Sequence, residues 1–329
     1  MIRTRAAVVR QSGGAFQFED ITLDEPRPHE LVVRIKACGI CHTDIALRNG
    51  QWVAHFPCVL GHEGAGVVEK VGAEVKAARP GDRVLLSFCS CGSCAPCRKN
   101  HPAHCTQFDS LNLNWARSDG STTLKDSAGH SLGGNFFGQS SLAYHALTHE
   151  RNVIPVSLSE KELPLFAPLG CGMQAGAGTV MNELRVKKNE SILICGAGAV
   201  GLSALMAAHF VQAHPIIVVD TVPSRLKLAQ ELGAHTVIQG QKNRPLALES
   251  IVNYIVDTTG HSSVINQSLT FLDEQGKISL LAISADEGEI APLGPCQTEI
   301  DSVSGDSHPQ SFLPFSSIAI GKAFFRSIS

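Results

Sequence analysis

Two different hydrophobic patterns divide the chain into a first and a second part. Up to about residue 90, short apolar runs at 31–35, 66–68 and 83–86 are separated by Gly and Pro residues. Such runs are typical of strands in an all-β, barrel-like unit. From about Ser191, helical patterns alternate with apolar runs, which lie at 192–195, 216–220, 236–238, 251–258 and 278–283. This alternation predicts an α/β unit with a parallel, doubly wound sheet. The Gly-rich stretch 170–178 is the expected linker between the two parts.

The segment 191–211 contains no Asp, Glu, Lys or Arg and has the length of a membrane span. Three glycines interrupt it, however, at Gly196, Gly198 and Gly201, and it begins with the β-type run 192–194. We interpret the segment as a buried strand that leads directly into a buried helix, rather than as a transmembrane helix.

Composition narrows the class of protein. The 329 residues are enough for two domains, and the 43% hydrophobic and 17% charged fractions are those of an ordinary soluble globular protein. A net charge of -3 provides no basic surface for nucleic acid or for an anionic membrane. The first residues contain no apolar run of signal-peptide length, so we expect a cytoplasmic protein.

Gly196, Gly198 and Gly201 form a Gly-x-Gly-x-x-Gly motif between a predicted strand and a predicted helix. The motif alone is weak, but this context is the one that a dinucleotide-binding turn requires. The first glycine permits the tight turn, the second lets the backbone approach the pyrophosphate, and the third allows the helix to pack closely on the strand. The free N–H groups of the helix N-terminus would bind the phosphates.

An acidic residue follows the motif at the expected distance. Asp220 ends the next apolar run, where a carboxylate accepts hydrogen bonds from ribose hydroxyls and repels a 2′-phosphate. The sequence therefore predicts NAD rather than NADP as the cofactor. Arg225 is a candidate to cover one face of the adenosine. The alternative is a glycine-rich turn that binds no nucleotide, and the agreement of motif, context and acid argues against it.

Four of the 11 cysteines form a cluster with short spacing, at Cys91, Cys94, Cys97 and Cys105. Four thiolates close a tetrahedral shell around zinc and leave no position for water or substrate, so we predict a structural zinc site. The odd cysteine count argues against a secreted disulfide framework. Cys89 is an alternative to Cys91 as the first ligand, and unligated cysteines in a loop are the alternative to a metal site.

A catalytic zinc requires three protein ligands and one open position. Cys41, His62 and Cys171 are candidates, because the first two lie in separate loops of the β unit and the third lies just before the nucleotide-binding part. Spacing alone does not select these three from 11 cysteines and 14 histidines, since a single buried Cys or His is commonly a packing residue.

These motifs together resemble the zinc-containing medium-chain alcohol dehydrogenase family. The Gly-His-Glu-Gly-Ala-Gly motif at 61–66, followed by Val-Gly at 71–72 and Gly-Asp at 81–82, is similar to its zinc signature, and Cys-His-Thr-Asp at 41–44 is similar to its first zinc loop. Leu-Gly-Cys-Gly at 169–172 resembles the segment with its third catalytic ligand. The resemblance extends to about Leu313. The segment 134–141, Gly-Asn-Phe-Phe-Gly-Gln-Ser-Ser, is most similar to the aryl (benzyl) alcohol dehydrogenase branch.

The resemblance implies a fold. A GroES-like, β-rich catalytic domain would comprise residues 1–172 together with 306–329, and a Rossmann NAD-binding domain would comprise residues 173–305. By analogy with the family, the chain would form a homodimer or homotetramer, with the dimer contact at an edge strand near 300–304.

It also implies roles for individual residues. Two zinc ions are expected, with Cys41, His62 and Cys171 around the catalytic one. Further roles would fall to Asp44 as the support of His62, Glu63 beside the metal, Thr43 as acceptor of the alcohol proton, His42 at the pyrophosphate and Val200 behind the nicotinamide ring. A buried structural ion pair is the alternative for Glu63.

Trp52, Phe136 and Phe137 are candidates for an apolar substrate pocket that suits an aromatic ring. All three are equally explained as core residues.

The sequence departs from the family at three places. Ala46 stands where many members have a proton-relaying histidine, which the aryl branch also lacks, and Ala175 stands where a Thr usually contacts the nicotinamide. The resemblance fades after Leu313, and the chain is about forty residues short of the usual family length, so we expect a C-terminally truncated member whose catalytic domain is incomplete.

The predicted activity is oxidation of a primary aryl or allyl alcohol to its aldehyde, reversibly, with NAD and zinc. A small-molecule alcohol or aldehyde would be the partner, with no nucleic acid and no membrane. Two alternatives stay open: a polyol or glutathione-adduct dehydrogenase, and a truncated protein that binds zinc and NAD with impaired or no turnover.

Overall fold

The computed structural model describes residues 1–241, 246, 248 and 250–282, together with the backbone of 299–301. Two compact units divide at the peptide bond between Cys171 and Gly172. The predicted return of residues 306–329 to the first domain, and the tail after Leu313, lie outside the described residues.

The first unit is β-rich, as its pattern of short apolar runs predicts. Its paired strands are antiparallel and form two five-stranded sheets, in the orders β4-β1-β2-β7-β8 and β10-β6-β5-β3-β9. The strands are β1 (Ile2–Val9), β2 (Phe16–Leu23), β3 (Glu30–Cys38), β4 (Cys58–Val59), β5 (Gly64–Val71), β6 (Arg83–Leu86), β7 (Leu124–Asp126), β8 (Ser131–Leu132), β9 (His145–His149) and β10 (Val153–Pro155).

Strand β3 shows how one strand contributes to two cores. Successive side chains of a strand point to opposite faces. Val32 accordingly packs with Val8, Ile21 and Leu124 in one hydrophobic cluster, whereas Leu31 and Val33 pack in another with residues of β6 and β9. Because both faces of β3 are covered, it reads as a nearly continuous apolar run.

Short helices and turns connect these strands and carry several candidate site residues. The α-helices are α1 (His42–Arg48), α2 (Ala95–Arg98), α3 (Phe108–Asn112) and α4 (Leu163–Phe166). Single 3₁₀ turns lie at Pro102–His104, Phe136–Gly138, Glu150–Asn152 and Ala167–Gly170. The cysteine-rich segment is therefore mostly irregular, as its lack of periodicity predicts.

The second unit contains the predicted parallel sheet, in the order β13-β12-β11-β14-β15-β16. Its strands are β11 (Ile192–Cys195), β12 (Ile216–Asp220), β13 (Thr236–Gln239), β14 (Val252–Asp257), β15 (Leu272–Leu280) and β16 (Glu299–Asp301). Its helices are α5 (Gly172–Gly178), the π-helical turn Thr179–Glu183, α6 (Ala199–Phe210), α7 (Pro223–Glu231) and α8 (Ser262–Leu269).

Helices cover both faces of this sheet, which confirms the doubly wound α/β class. Ile192 and Ile194 of β11 pack with residues of α6 and α7 on one face, and Leu193 and Cys195 pack with residues of α8 on the other. Strands β12 and β13 extend the sheet on one side of β11, and β14 lies on its other side. The strand order thus reverses at β11, and ligands of such sheets bind at the carboxyl end of this position.

Two glycine-containing segments, 191–211 and 170–178, form regular secondary structure over most of their length. The apolar segment 191–211 forms β11 followed by α6, as predicted, and within the described residues every helix is too short or too polar to cross a membrane. The boundary between the two units falls inside the expected linker 170–178, and residues 172–178 of this stretch form helix α5. A Cβ on Gly176 would lie 2.0 Å from the carbonyl oxygen of Val200. The small residues therefore permit close packing of α5 on α6 rather than a flexible connection.

Candidate functional site

The first unit brings together the three candidate catalytic ligands and one acid. One donor atom from each of Cys41, His62, Glu63 and Cys171 lies within 4.8 Å of the other three. Cys41 immediately precedes helix α1, His62 and Glu63 precede strand β5, and Cys171 follows the turn Ala167–Gly170. The three loops are far apart in the sequence, so only the folded β unit creates this group of donors.

Asp44 orients His62 and joins two of these loops. Its Oδ1 atom is 3.2 Å from Nδ1 of His62 and accepts the backbone N–H of Gly61 at 2.9 Å, while its Oδ2 accepts the N–H of Cys41 at 3.0 Å. A proton on Nδ1 that is donated to Asp44 leaves the lone pair on Nε2 free for a metal. The structure thus places Asp44 next to His62, and its role as the support of a metal ligand stays a prediction.

The Nε2 atom of His62 indicates that a ligand is needed. His62 is only 1% exposed, and among the described residues Nε2 has no hydrogen-bond partner. A buried polar atom without a partner is costly, and a metal ion at this position would satisfy it. Two thiols and one imidazole nitrogen are donors that zinc prefers, so the residues present fit a zinc ion.

Glu63 is the fourth member of the group and is 4% exposed. Gly39 gives it room, because a Cβ at residue 39 would lie 1.9 Å from Oε2 of Glu63. Glu63 therefore stands close enough to act as an additional oxygen ligand or to change the electrostatic field at the metal.

The protonation equilibria of the group depend on one another, and among the three candidate ligands only Cys41 is shifted toward its ionised, metal-binding form. The Cys171 thiol donates a hydrogen bond that, together with the neighbouring His62, lowers the pKa of Cys41 well below its ordinary value although burial opposes this. Burial also opposes a charge on His62, but the carboxylate of Asp44 raises the pKa of the imidazole well above its usual value. The Cys41 thiolate and burial together raise the pKa of Cys171. A divalent cation would stabilise both sulfurs as thiolates.

Two aromatic rings pack against His62, and a third ring stacks on one of them. The ring of Phe137 is stacked on the imidazole at a centroid distance of 4.6 Å, and Phe136 meets it edge-on at 5.3 Å. Trp115, which the sequence pattern does not single out, stacks on Phe136 at 5.1 Å and is 4% exposed. Phe136 and Phe137 are 0% and 2% exposed and thus support the ligand ring, whereas Trp52 is half-buried. The role of these residues as a substrate pocket stays a prediction.

The first turn of α1 carries two further candidates. The hydroxyl oxygen of Thr43 is 3.7 Å from Sγ of Cys41, and Thr43 is buried. His42 is exposed at the first position of the helix. Ala46 is buried on the same helix, one turn on from His42, and its methyl group has no ionisable proton.

The four clustered cysteines form a second donor group, with their sulfurs within 4.8 Å of one another. The sulfurs of Cys91 and Cys97 are 3.9 Å apart, and those of Cys94 and Cys105 are 4.0 Å apart. Tetrahedral zinc with Zn–S bonds of about 2.3 Å requires sulfurs about 3.8 Å apart, so this group fits zinc. Cys89, the alternative first ligand, lies outside the group.

Backbone N–H groups point to two of the four sulfurs and favour the thiolate form, which binds cations. The N–H groups of Ser93 and Cys94 point to Sγ of Cys91 at 3.4 and 3.3 Å, and the N–H of Cys91 points to Sγ of Cys105 at 3.3 Å. Although partial burial opposes ionisation, the Ser93 hydroxyl and the N–H groups of Ser93 and Cys94 lower the pKa of Cys91 to about 5. All four donors are committed, so the group would hold a structural ion.

The second unit places the glycine motif at the carboxyl end of β11. Gly196 has φ of +97°, a conformation that favours glycine, and a Cβ on Gly201 would lie 1.8 Å from the carbonyl oxygen of Gly196. A Cβ on Gly198 would meet nothing within 4 Å, so open space adjoins the start of α6. Val200 is half-buried in the first turn of this helix. The geometry fits a pyrophosphate at the helix N-terminus.

Asp220 lies at the carboxyl end of β12, beside the motif. Its carboxylate accepts the N–H groups of Ala197 at 2.6 Å and Val222 at 2.8 Å, one on each oxygen. Each oxygen has a further lone pair for a ribose hydroxyl. Arg225, whose side chain is 54% exposed, lies 3.8 Å from Asp220. Ala175, which departs from the family pattern, is buried in α5.

One residue that sequence reasoning missed lies behind the catalytic donor group. Gln139 is 2% exposed, and its amide bonds the backbone of His62, Gly64 and Ser87. Gln139 lies in the segment 134–141 that resembles the aryl branch, but a single glutamine in a glycine-rich loop is not part of a spaced motif that would predict this role.

Comparison with known proteins identifies relatives of both units. The family model described as "Alcohol dehydrogenase GroES-like domain" matches residues 27–157, and the one described as "Zinc-binding dehydrogenase" matches residues 199–306. Geraniol dehydrogenase of Castellaniella defragrans is 38% identical over 325 residues, which cover 95% of this chain and 86% of that protein.

Two solved structures are similar in fold and sequence. Benzyl alcohol dehydrogenase of Acinetobacter calcoaceticus is 36% identical, with a TM-score of 0.83 and coverage of 90% of this chain and 81% of that one. An alcohol dehydrogenase zinc-binding domain protein of Burkholderia ambifaria is 42% identical, with a TM-score of 0.83 and coverage of 88% and 80%.

Proposed function

We propose that this chain interconverts a primary aryl or allyl alcohol and its aldehyde with NAD. The chain belongs to the zinc-containing medium-chain alcohol dehydrogenase family and is an oxidoreductase. One observation carries the proposal: the buried Nε2 of His62 has no hydrogen-bond partner among the described residues, and a ring nitrogen of this histidine lies within 4.8 Å of the Cys41 and Cys171 sulfurs. This geometry suits a catalytic zinc with one position open for the substrate.

The chain's own residues would prepare this centre and handle the proton. A zinc ion held by Cys41, His62 and Cys171 would act as a Lewis acid that makes the alcohol hydroxyl more acidic. Asp44 holds His62 in the tautomer that keeps Nε2 available. The hydroxyl of Thr43, close to Cys41, is the proposed acceptor of the alcohol proton. Since Ala46 has no titratable group, this proton would pass to cofactor hydroxyls and water.

The second unit supplies the proposed nicotinamide cofactor site. The N-terminus of α6 would bind the pyrophosphate, and Val200 would contact the nicotinamide. The family resemblance implies a further pyrophosphate contact from His42, which belongs to the first unit. Asp220 supports the choice of NAD, because its carboxylate would accept ribose hydroxyls and repel a 2′-phosphate. NAD when bound accepts a hydride from the carbinol carbon of the substrate.

The substrate class is proposed from two relatives. One is named for geraniol and another for benzyl alcohol, and each of these primary alcohols has its carbinol carbon next to a π-system. Conjugation of the product aldehyde favours such substrates. The half-buried ring of Trp52 supports an apolar alcohol better than a polyol, whereas Phe136 and Phe137 are buried against His62.

We further propose a homodimer or homotetramer of this chain. Within the described part of the second unit, β16 is the edge strand and pairs only with β15. The edge of β16 that is unpaired within the described residues would offer backbone groups to the same strand of a second copy. Light scattering on the purified protein that gives a monomer at micromolar concentration would contradict this proposal.

A direct assay tests the proposed activity. The purified chain is analysed for zinc content and then mixed with NAD and benzyl alcohol or geraniol, while NADH absorbance is followed. Two alcohols without a π-system next to the carbinol carbon, cyclohexylmethanol and citronellol, serve as matched controls, together with sorbitol and S-(hydroxymethyl)glutathione. We expect two zinc ions per chain, NADH formation with the first pair, slower reaction with the controls, and a higher kcat/KM for NAD than for NADP.

The same assay contains the results that would contradict the proposal. Faster reaction with sorbitol or S-(hydroxymethyl)glutathione would assign another substrate class. Two zinc ions and cofactor binding without turnover would show a protein that has kept its sites and lost catalysis. A single zinc ion per chain would exclude the two-site arrangement.

A further inference from the structure

The side chain of Gln139 makes three hydrogen bonds next to the catalytic donor group. Its Nε2 donates to the carbonyl oxygens of His62 at 3.0 Å and Ser87 at 3.1 Å, and its Oε1 accepts the N–H of Gly64 at 3.1 Å. All three partners are backbone atoms, and the side chain is 2% exposed. One amide thus fixes two separate stretches of chain.

The first stretch contains two of the four donors. The partners His62 and Gly64 lie on either side of Glu63, so Gln139 holds the backbone before and after this residue. Because His62 and Glu63 both belong to the donor group, a shift of this backbone would move the imidazole and the carboxylate together.

The second stretch leads to Cys171. The hydroxyl of Ser87 donates to the carbonyl oxygen of Gly170 at 2.9 Å, and Gly170 directly precedes Cys171. The turn lies so close to β6 that a Cβ on Gly170 would be 2.1 Å from the carbonyl oxygen of Leu86. The position of Ser87 therefore determines where the backbone before Cys171 can lie.

We propose that Gln139 is a positioning residue that sets the spacing between the His62 and Cys171 donors of the catalytic metal centre. This inference rests on the proposed zinc site. Metal affinity requires donor distances within about 0.2 Å of the ideal values, and a thiolate and an imidazole on separate loops keep such distances only if their backbones are tied together. A glutamine amide has both the two N–H donors and the oxygen acceptor that the three backbone groups require.

The substitution Gln139→Glu isolates this function. It keeps the size of the side chain and an acceptor for the N–H of Gly64, but removes the two N–H donors to His62 and Ser87. Asn112→Asp is the matched control, because Asn112 is 0% exposed and its amide also makes three backbone hydrogen bonds. Its partners, Cys89 and Phe108, do not belong to the catalytic donor group.

Metal retention provides a readout that is independent of turnover. Wild type and both variants are dialysed against a graded series of chelator concentrations, and zinc per chain is measured by mass spectrometry. Alkylation by iodoacetamide, located by peptide mapping, then shows which sulfurs have lost their metal. Melting curves are recorded in parallel to compare the loss of stability.

We expect Gln139→Glu to lose zinc from the catalytic site at a chelator concentration on the order of tenfold lower than wild type, as for other groups that support metal ligands. Cys41 and Cys171 should become alkylated while the four clustered cysteines stay protected. Asn112→Asp should keep its catalytic zinc at the wild-type concentration of chelator.

Two results would overturn the inference: wild-type zinc retention in Gln139→Glu, or equal loss of catalytic zinc in Asn112→Asp. If Gln139→Glu does not fold, Gln139→Met, which is uncharged and similar in length, takes its place with the same criteria. A wild-type chain whose Cys41 and Cys171 are never protected by zinc would instead refute the proposed function.

Discussion

The carboxylate of Asp44 lies 3.2 Å from the imidazole of His62, Oδ1 to Nδ1, with the two side chains 0% and 1% exposed. The same carboxylate accepts backbone N–H groups from Gly61 and Cys41. It therefore connects the loop of one proposed zinc ligand to the loop of another. An acid that lies three residues after Cys41 in the sequence thus determines the tautomer of a histidine 18 residues further on.

Asp44→Asn tests this connection. The asparagine has one acceptor oxygen for the three N–H groups that Asp44 now accepts, and its NH₂ group would face a donor. We expect the affinity of the catalytic site for zinc to fall by about 10- to 100-fold, measured by competition with a chromogenic chelator. Asp20→Asn, at a side chain that is 84% exposed, is the control and should leave the affinity unchanged. Equal affinities in the two variants would disprove the supporting role of Asp44.

Cys41→Ser tests the catalytic ligand. A serine hydroxyl is a poor zinc ligand compared with a thiolate, so NADH formation should fall to background while the melting temperature changes little. Cys38→Ser, at a nearby half-buried thiol outside the donor group, should keep most of the activity. Full turnover by Cys41→Ser would show that the assignment of this ligand is wrong.

Cys97→Ser tests the proposed structural site. Loss of one of four thiolates should weaken zinc binding and lower the melting temperature by several degrees, since 1 kcal/mol corresponds to about 2–4 °C for a unit of this size. Calorimetry with and without a chelator measures the effect. If the chelator lowers the melting temperature of wild type and Cys97→Ser by the same amount, the four sulfurs hold no structural metal.

Two glycines of the nucleotide motif should respond differently to alanine. A Cβ on Gly201 collides with the carbonyl oxygen of Gly196, so Gly201→Ala should reduce stability and cofactor binding together. A Cβ on Gly198 enters open space, so Gly198→Ala should fold normally and weaken NADH binding alone, on the order of tenfold, because the methyl group obstructs the approach of the pyrophosphate. NADH fluorescence titration and melting curves separate the two effects. Wild-type NADH affinity in Gly198→Ala would place the pyrophosphate elsewhere.

The ion-pair group around the buried Arg117 predicts how the stability of the first unit depends on pH. Arg117 is 5% exposed and pairs with Glu30 at 2.7 Å and Asp24 at 2.8 Å. Arg117→Leu would leave both acids without this partner and should destabilise the first unit by about 2–4 kcal/mol at neutral pH. Although burial opposes it, the hydrogen bond from Arg117 lowers the pKa of Asp24 below its ordinary 3.8.

Because the pKa of Asp24 is lowered in the folded state, its carboxylate contributes to the free energy of unfolding above pH 3.8. This contribution is lost as the pH falls through the pKa that Asp24 has in the folded state. The difference in unfolding free energy between wild type and Arg117→Leu should therefore be constant near neutrality and shrink below about pH 4. Urea titrations over this range provide the measurement. Arg5→Leu, which removes an exposed ion pair with Asp20, is the control and should cost less than about 1 kcal/mol. A pH-independent difference for Arg117→Leu would exclude an ionic contribution from Asp24.

Local sequence patterns were sufficient to predict secondary-structure elements and motifs whose residues lie close together in the chain. The strand β11 and helix α6 follow from one apolar segment with three glycines, and the four-cysteine group follows from spacing within 15 residues. In each case the interacting residues are neighbours in sequence, so composition and period carry the information.

The helical structure of most of the stretch 170–178 did not follow from its local pattern. Glycine and alanine predict flexibility when they are exposed and close packing when a neighbour covers them, and the sequence does not show the neighbour. The contact of Gly176 with the backbone of Val200 decides between the two.

The sequence by itself determined the α/β class, the β-rich first part, the dinucleotide turn and the structural cysteine group, because each depends on local period or spacing. Only the tertiary structure decided that Cys41, His62, Glu63 and Cys171 meet, that Phe136 and Phe137 pack against the imidazole, and that Gln139 joins the loops behind them. These contacts connect loops up to 130 residues apart, as between Cys41 and Cys171. Such distances are set by the packing of two sheets, and no local pattern encodes them.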